Sequence, residues 1–547
     1  MKRTVVAAAL GECVHVAGVM NFLRLAESAG WRTVFLGPAV AVDDVIMAAK
    51  RENADLVGVS YRLTPETGER LLADFAEHAD DLRAQGVKFF FGGTPPVAER
   101  ALRMGFFDRV FDGSELTEDV VSALKGESAG NMKEIDYPSN TLERIAWKAP
   151  YPLLRHHFGL LTMEATLDGI RKISEARVLD VISLGTDQDA QENFFHPERQ
   201  DPRRTGAGGV PVRSADDYRQ LYQASQTGNH PLLRTYSGTD DFIRQAEVSV
   251  ETIHNAWCAI PLFWFNRMDG RGPWDLAGSI REHQQVMRWY GERSIPVELN
   301  EPHHWGMRDA PDVVCVVSAY LSAYNAKAFG VKDYIAQLMF NSPPGLSDAM
   351  DLAKMAAMLR IIEPLADENF RIWRQTRTGL LSYPLQPAAA RAHLASTIYL
   401  QMALHPHIVH IVGHTEAHHA ATAEDVIEAA WMARRAIENA LRGAPNMLAD
   451  PAVQARIQEL VAEADVTLEV IRSIARRGTA DPFTDPETLA ASVRMGIMDA
   501  PHLRSNPFAR GEIKSGIVEG ACKALDADGK TINEKQRLSK KNKEMNQ

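Results

Sequence analysis

Cys13-Val14-His15-Val16-Ala17-Gly18 stands directly behind the apolar run Thr4–Leu10 and opens the helix-length segment Val19–Ala29. A strand that ends this way delivers the His15 imidazole to the crevice beyond the carboxyl edge of a sheet, where open α/β folds hold their ligands. Imidazole is uncharged near neutral pH and ligates transition metals well. Four more short β runs follow: Thr33–Gly37, Leu56–Tyr61, Val87–Gly93 and Arg109–Gly113. Each is bounded by Gly, Pro or Asp, with helical segments such as Pro65–Ala84 between them. That alternation predicts a doubly wound parallel sheet over residues 1–126. Two further features fall on the same strand ends, Ser60 on the third run and Gly92-Gly93 on the fourth. A hydroxyl there can bond a buried polar group, and paired glycines let a bulky ligand approach the backbone. Each taken alone has a plainer reading, as a loop histidine, a turn or an uninformative serine.

Working outward, residues 127–150 are polar and aperiodic and are expected to form a linker. From residue 151 a second βα rhythm runs through eight candidate strands: Pro152–Phe158, Val178–Gly185, Leu232–Ser237, Ala256–Phe265, Ile295–Glu301, Asp333–Asn341, Phe370–Thr376 and Ile408–Gly413. Eight βα units over residues 151–430 predict a (β/α)8 TIM-type barrel. Asp201–Pro211, rich in Gly, Pro and Arg, reads as an inserted loop. Residues 431–547 are expected to form a helical extension, irregular over Asp481–Arg510, with a frayed charged tail from Glu534.

Bulk composition narrows the function classes. The 547 residues exceed one ordinary core. Lys and Arg number 60 against 71 Asp and Glu, a net charge of −11 that disfavours nucleic acid or an anionic membrane as partner. No stretch approaches the roughly 20 apolar residues of a transmembrane helix, and the run before Gly11 is too short for a secretory signal. The 4 cysteines, Cys13, Cys258, Cys315 and Cys522, are scattered with no CxxC spacing, against a disulfide framework or structural zinc. A cytoplasmic protein is expected, with a homodimer as the candidate assembly.

His15-x-x-Gly18, Ser60 and Gly92-Gly93, supported by Val57-Gly58-Val59 and Leu63-Thr64-Pro65, resemble the vitamin B12-binding domain of methionine synthase and the carbon-skeleton mutases, a flavodoxin-like fold. The resemblance implies that His15 ligates the cobalt of cobalamin in place of the cofactor's own dimethylbenzimidazole. It further implies that the displaced nucleotide tail lies beside Gly18, Ser60, Gly92 and Gly93. The family's aspartate two residues before the histidine is Cys13 here, with Glu12 one residue earlier as an alternative partner for the imidazole, and its Ser-x-Leu reads Ser60-Tyr61-Arg62.

At the carboxyl ends of the barrel strands, where such folds keep their chemistry, polar groups gather: Arg155 and His156-His157, Asp187 to Asp189, Arg234, Tyr236 and Ser237, Asn266-Arg267, Asn300-Glu301 and His303-His304, Asn341, Arg374 and Arg377, and His414, Glu416, His418 and His419. About half of such residues are expected to be only a solvated rim. His303 and His304 are read as facing opposite ways on a strand, and a metal held by His414, His418 and His419 is disfavoured for want of a carboxylate partner. Arg234-Thr-Tyr-Ser-Gly-Thr-Asp240, Asn300-Glu301-Pro302, Thr415-Glu416-Ala417 and Met495-Gly-Ile-Met-Asp499 resemble, in order, segments of the glutamate mutase (methylaspartate mutase) large-subunit family. That resemblance implies an adenosylcobalamin-dependent isomerase, with the cofactor sandwiched between the two domains. Arg234 would clamp a substrate carboxylate, Arg155, Tyr236, Asn300 and Glu301 would help bind a small carboxylic acid, and Glu416 would hold the adenosyl ribose, making Arg234 and Glu416 the candidate catalytic pair. The family's other substrate-binding positions fall near Ile260-Pro261 and Glu192, so a substrate other than glutamate is expected. Two alternatives stand beside this one: a methylcobalamin-dependent methyltransferase, and a non-catalytic cobalamin sensor or carrier.

Overall fold

The computed structural model describes residues 3–113, 115, 117–126 and 137–545. Its contacts divide the chain into two compact units, Met1–Asp136 and Tyr137–Gln547.

The first unit is built on β1 (Thr4–Ala9), β2 (Arg32–Phe35), β3 (Leu56–Tyr61), β4 (Lys88–Gly93) and β5 (Arg109–Phe111). All pair in parallel, in the order β2-β1-β3-β4-β5. Strands β1 and β3 are buried along their whole length, as a sheet covered on both faces requires. The chain winds one way from β1 to β2 and the other way from β1 to β3. The crevice between the carboxyl ends of β1 and β3 is therefore the topological switch point. Phe22, Val19 and Leu23 from helix Ala17–Ser28 pack on one face, Val45 and Ile46 from Val42–Arg51 with Leu72 and Phe75 from Pro65–Ala84 on the other.

The second unit is the barrel. Its strands are β6 (Leu153–Phe158), β7 (Val181–Leu184), β8 (Leu232–Arg234), β9 (Cys258–Ile260), β10 (Val297–Leu299), β11 (Asp333–Phe340), β12 (Arg371–Thr378) and β13 (Ile408–Ile411). They form one eight-stranded parallel sheet in the order β8-β7-β6-β13-β12-β11-β10-β9. At the seam between the end strands the Ala256 N–H donates to the Leu233 carbonyl at 2.9 Å, and the Thr235 N–H to Asn255 Oδ1 at 3.0 Å.

Several expectations are corrected by the structure. The fourth barrel strand is only Cys258–Ile260; Leu262 to Phe265, apolar enough to read as strand, instead form a buried loop. His303 and His304 lie on the short helix Glu301–Gly306, started by Pro302 in its first turn, with their rings 4.3 Å apart. Residues 127–136 of the expected linker lie outside the described residues. Beyond them, helix Thr141–Lys148 is capped by the Asn140 side chain, and Arg144 donates to the Pro138, Asn229 and His230 carbonyls of the barrel unit. Helix Pro486–Arg494 interrupts the segment read as irregular. A hairpin of β14 (Lys514–Val518) and β15 (Ala521–Leu525) follows it. The charged tail is helical over Glu534–Met545. Its buried Arg537 binds Glu534 and donates to the Gly496 and Ile497 carbonyls at 2.9 and 2.7 Å, so three inward residues (Glu534, Arg537 and Leu538) dock an otherwise polar helix. No helix among the described residues is long and apolar enough to cross a membrane.

Candidate functional site

The loop after β1 is held before it presents anything. Gly11 adopts a positive φ of 58°, a backbone region that favours glycine. Its N–H donates to the Val40 carbonyl, the Cys13 N–H donates to Leu10, and the Cys13 carbonyl accepts from Ala39. Cys13 is fully buried by this bracing, while His15 two residues later is exposed on the loop. The Cys13 sulfur lies 3.9 Å from His15 Nδ1, leaving Nε2 as the nitrogen that faces away from the anchor.

Beside that loop is a cavity of about 410 Å³, a size typical of small-molecule sites. Its walls are Gly18, Asn21 and Phe22 of the first helix, Gly58, Ser60 and Phe90 to Gly93 of the sheet, and Asp112, Gly113 and Glu115 beyond β5. Register places Ser60 of β3 directly beside Gly92 of β4, and Gly58 beside Phe90, so one sheet face is stripped of bulk at its carboxyl edge. A Cβ on Gly92 or Gly18 would meet nothing within 4 Å, whereas one on Gly58 would lie 2.8 Å from the Phe22 ring. Gly58 therefore lets the helix close on the sheet, and Gly92 keeps open space. The Ser60 hydroxyl is buried and unpartnered. A buried hydroxyl without a partner is unfavourable unless a ligand or water supplies one. His15, Gly18, Ser60, Gly92 and Gly93 thus share the carboxyl edge of one sheet, Gly18, Ser60 and the glycine pair lining the slot itself.

The barrel interior carries a second polar cluster. Glu298 of β10 is fully buried and receives Arg155 Nη1 of β6 at 2.9 Å, Arg234 Nη2 of β8 at 3.3 Å and Trp257 Nε1 at 2.6 Å. Arg155 also donates to Gln375 Oε1 of β12 at 2.8 Å. Burial acts to raise the Glu298 pKa, but Arg234 and Arg155 outweigh it and hold the carboxyl down at about 2. Arg155 is lowered to about 9, first by burial and then by its neighbour Arg234. The Tyr236 ring stacks on His157, 5.5 Å between centroids, with the hydroxyl 3.2 Å from His157 Nε2, and the Arg234 guanidinium lies 4.9 Å over the Tyr236 ring. Burial, then the neighbouring guanidiniums, push His157 and His410 well below the ordinary imidazole range, so both are neutral.

The remaining expected site residues fall in different places. Asn300 is buried with an unpartnered Oδ1 at the start of helix Glu301–Gly306. Glu301 is sealed: its Oε2 accepts the Leu262 and Phe263 N–H groups at 2.6 and 2.9 Å, and its Oε1 accepts Trp305 Nε1 at 2.7 Å. Its carboxylate pins the loop after β9, and no oxygen is left for a ligand in this arrangement. Burial raises it to about 7. Glu416 is exposed beside a crevice of about 350 Å³ lined also by His156, His418 and His419. His414 does not meet His418 or His419; its neighbours are Asp425 and Glu428, with ligand atoms within 4.8 Å. Arg391 already binds Glu428 through two nitrogens at 2.7 and 3.2 Å, which balances that group's charge. Sequence reasoning assigned no role to Glu298 or Trp257, and named Arg377 only as a rim residue. Of these only Glu298 leaves a trace in the sequence, a Glu inside the apolar Val297-Glu298-Leu299 strand, and that trace does not say which way the side chain faces.

Comparison with known proteins bears on the first unit. The B12 binding domain family matches residues 3–122. The glutamate mutase sigma subunit of Clostridium tetanomorphum is 30% identical over 132 residues, 23% of this chain and 94% of that protein. Glutamate mutase sigma subunit 1 of Haloarcula marismortui is 28% identical over 134 residues, covering 23% and 85% respectively. A solved cobalamin-binding protein from Desulfitobacterium hafniense DCB-2 is 27% identical over 23% of this chain and 60% of its own, with a TM-score of 0.20.

Proposed function

The chain belongs to the B12-binding domain family through residues 3–122, and on that premise we propose that it is an adenosylcobalamin-dependent isomerase of the carbon-skeleton mutase type, acting on a small carboxylic acid in its barrel. The cobalamin part of this reading is carried by one observation: the Ser60 hydroxyl, buried and unpartnered, beside glycines that leave room for a flat ligand. His15 is the residue to take cobalt through Nε2, with Nδ1 turned toward Cys13. Cys13 stands where the motif it resembles has an aspartate, so a thiol would be the group beside His15 Nδ1 in place of a carboxylate.

Adenosylcobalamin supplies reversible homolysis of a cobalt–carbon bond, the chemistry by which hydrogen is taken from an unactivated position. This chain's own residues bind and shield. In the barrel, Arg234 offers Nε and Nη1, both buried and unpartnered, to a substrate carboxylate. The Glu298–Arg155–Gln375 bonds fix the neighbouring wall so that those donors stay oriented. Tyr236 packs over Arg234 and His157, and Glu416 stands at the rim for the adenosyl ribose. A cytoplasmic setting accords with four cysteines that are all free and buried thiols.

The test reconstitutes the full chain with adenosylcobalamin in the dark, adds candidate acids and records low-temperature EPR. Appearance of a coupled cobalt–organic radical spectrum only when a particular acid is present is the expected result. Methyl transfer to an acceptor without that spectrum, or tight binding with no response to any acid, would replace the isomerase with a methyltransferase or a carrier.

A further inference from the structure

The barrel interior is charged in one direction. Arg155, Arg234 and Arg377 are all buried there, and among the described residues Glu298 is the buried carboxylate that pairs with this group, Glu301 being taken up by the loop after β9 and Trp305, and Asp333 by Arg371 and Trp373. Arg377 belongs to this group by position. Gln375, two residues earlier on β12, receives Arg155 inside the barrel, and alternate residues of a strand share a face. Register sets Arg377 beside His410 and His410 beside Arg155, a continuous row across β12, β13 and β6. Arg234 on β8 lies four strands from β12 in the sheet order, on the facing wall. Glu298 already serves Arg155, Arg234 and Trp257, while Arg377 has no hydrogen-bond or ion-pair partner among the described residues. The other carboxylate it senses, Glu416, is exposed to solvent at the rim. The imidazoles around it, His157, His303, His304 and His410, are neutral and add no compensating charge. Three cations against one anion leave two positive charges, and a buried guanidinium without a counter-ion is strongly unfavourable.

We infer that the barrel takes a small dicarboxylate of net charge −2, without an ammonium group, and that Arg377 is the residue that selects it. One carboxylate pairs with Arg377 and the other with the open Nε and Nη1 of Arg234 across the chamber. A monocarboxylate, or an amino dicarboxylate of net charge −1, leaves one guanidinium uncompensated and binds more weakly. The inference rests on the barrel being the substrate chamber, as proposed above.

Titration calorimetry on the full chain without cobalamin tests it. Malonate, succinate and glutarate are the dianionic probes, and butyrate and glutamate carry the lower charge. At least one dianion should bind more tightly than both butyrate and glutamate. Arg377→Gln should weaken that dianion by about 30-fold, the range of a charge-assisted pair, and Arg377→Lys by less. Thermal melts without ligand report on structure. Arg377→Gln should melt no lower than the parent, because it removes an uncompensated charge, yet lose the shift that the dianion produces. The inference is overturned if no dianion binds, if glutamate or butyrate binds best, if Arg377→Gln binds unchanged, or if that variant melts lower without ligand. Dianion binding with no radical spectrum in the dark experiment leaves the inference standing and removes the isomerase instead.

Discussion

Glu298 carries more of the barrel's stability than any motif would indicate. Its carboxyl is held at about 2 against an unperturbed 4.5, because two guanidiniums and an indole N–H converge on it inside the barrel. A carboxyl depressed on folding stabilises the native state above pH 4.5, and that contribution disappears as pH falls from 4.5 toward 2. Glu298→Gln leaves Arg155 and Arg234 without their shared anion, and should lower stability by about 3–5 kcal/mol at pH 7. Denaturant titrations at pH 7 and pH 3 check this: the parent should lose stability in acid and the variant should lose much less. A variant within about 1 kcal/mol of the parent at pH 7 would mean the triad is not what holds this wall. At this scale the sequence was legible where a strand end dictates direction, as for His15, Ser60 and Gly92. It was not legible for Glu298 or Arg377, whose inward facing depends on the register of strands as short as the three residues of β10. The substrate role expected of Glu301 comes from the resemblance carried by Asn300-Glu301-Pro302. That Glu301 is sealed by backbone N–H groups is decided by the loop after β9, and loops leave no periodic trace.

At the scale of elements, the edge of the first sheet is the clearest case of sequence translating into site. Short runs ending in Gly, Ser or Gly-Gly predicted the strand ends to within one or two residues, because a buried parallel strand is a continuous apolar run and its punctuation is visible. The slot between β3, β4 and helix Ala17–Ser28 follows from missing side chains, and its space can be filled without disturbing the fold. Gly92→Leu starts a side chain at a Cβ position with no atom within 4 Å, on the wall of the slot. It is expected to fold and melt as the parent does, and to bind cobalamin at least about tenfold more weakly, ~1.4 kcal/mol. Absorbance titration at the corrin bands measures that affinity; an unchanged value would place the ligand elsewhere. The elements that escaped the sequence, the β14–β15 hairpin and the final helix, are polar on most of their surface. Of the buried residues described on that helix, Glu534 and Arg537 are charged and Leu538 alone is apolar, so no apolar period marks it.

For the molecule as a whole, the two βα rhythms were enough to predict a doubly wound sheet followed by a barrel, and both are present. Sheet architecture was readable because strands such as β1 and β3 are buried through their length and a helix stands between successive strands. What the barrel does was less readable, since the relatives cover only the first unit and the interior charge pattern emerges only when eight strands close together. The chain joins a unit of the B12-binding family to a barrel with an electropositive interior, and the proposed function turns on cobalt being held through His15. The decisive measurement is the low-temperature EPR spectrum of the reduced cobalamin complex of the full chain, made with ordinary and with 15N-labelled histidine. If an imidazole nitrogen is on cobalt, the threefold splitting of each line becomes twofold on labelling, and His15→Ala abolishes the effect. A splitting that remains threefold in the labelled protein would show that the cofactor's own base stays on the metal, contradicting the assignment of His15.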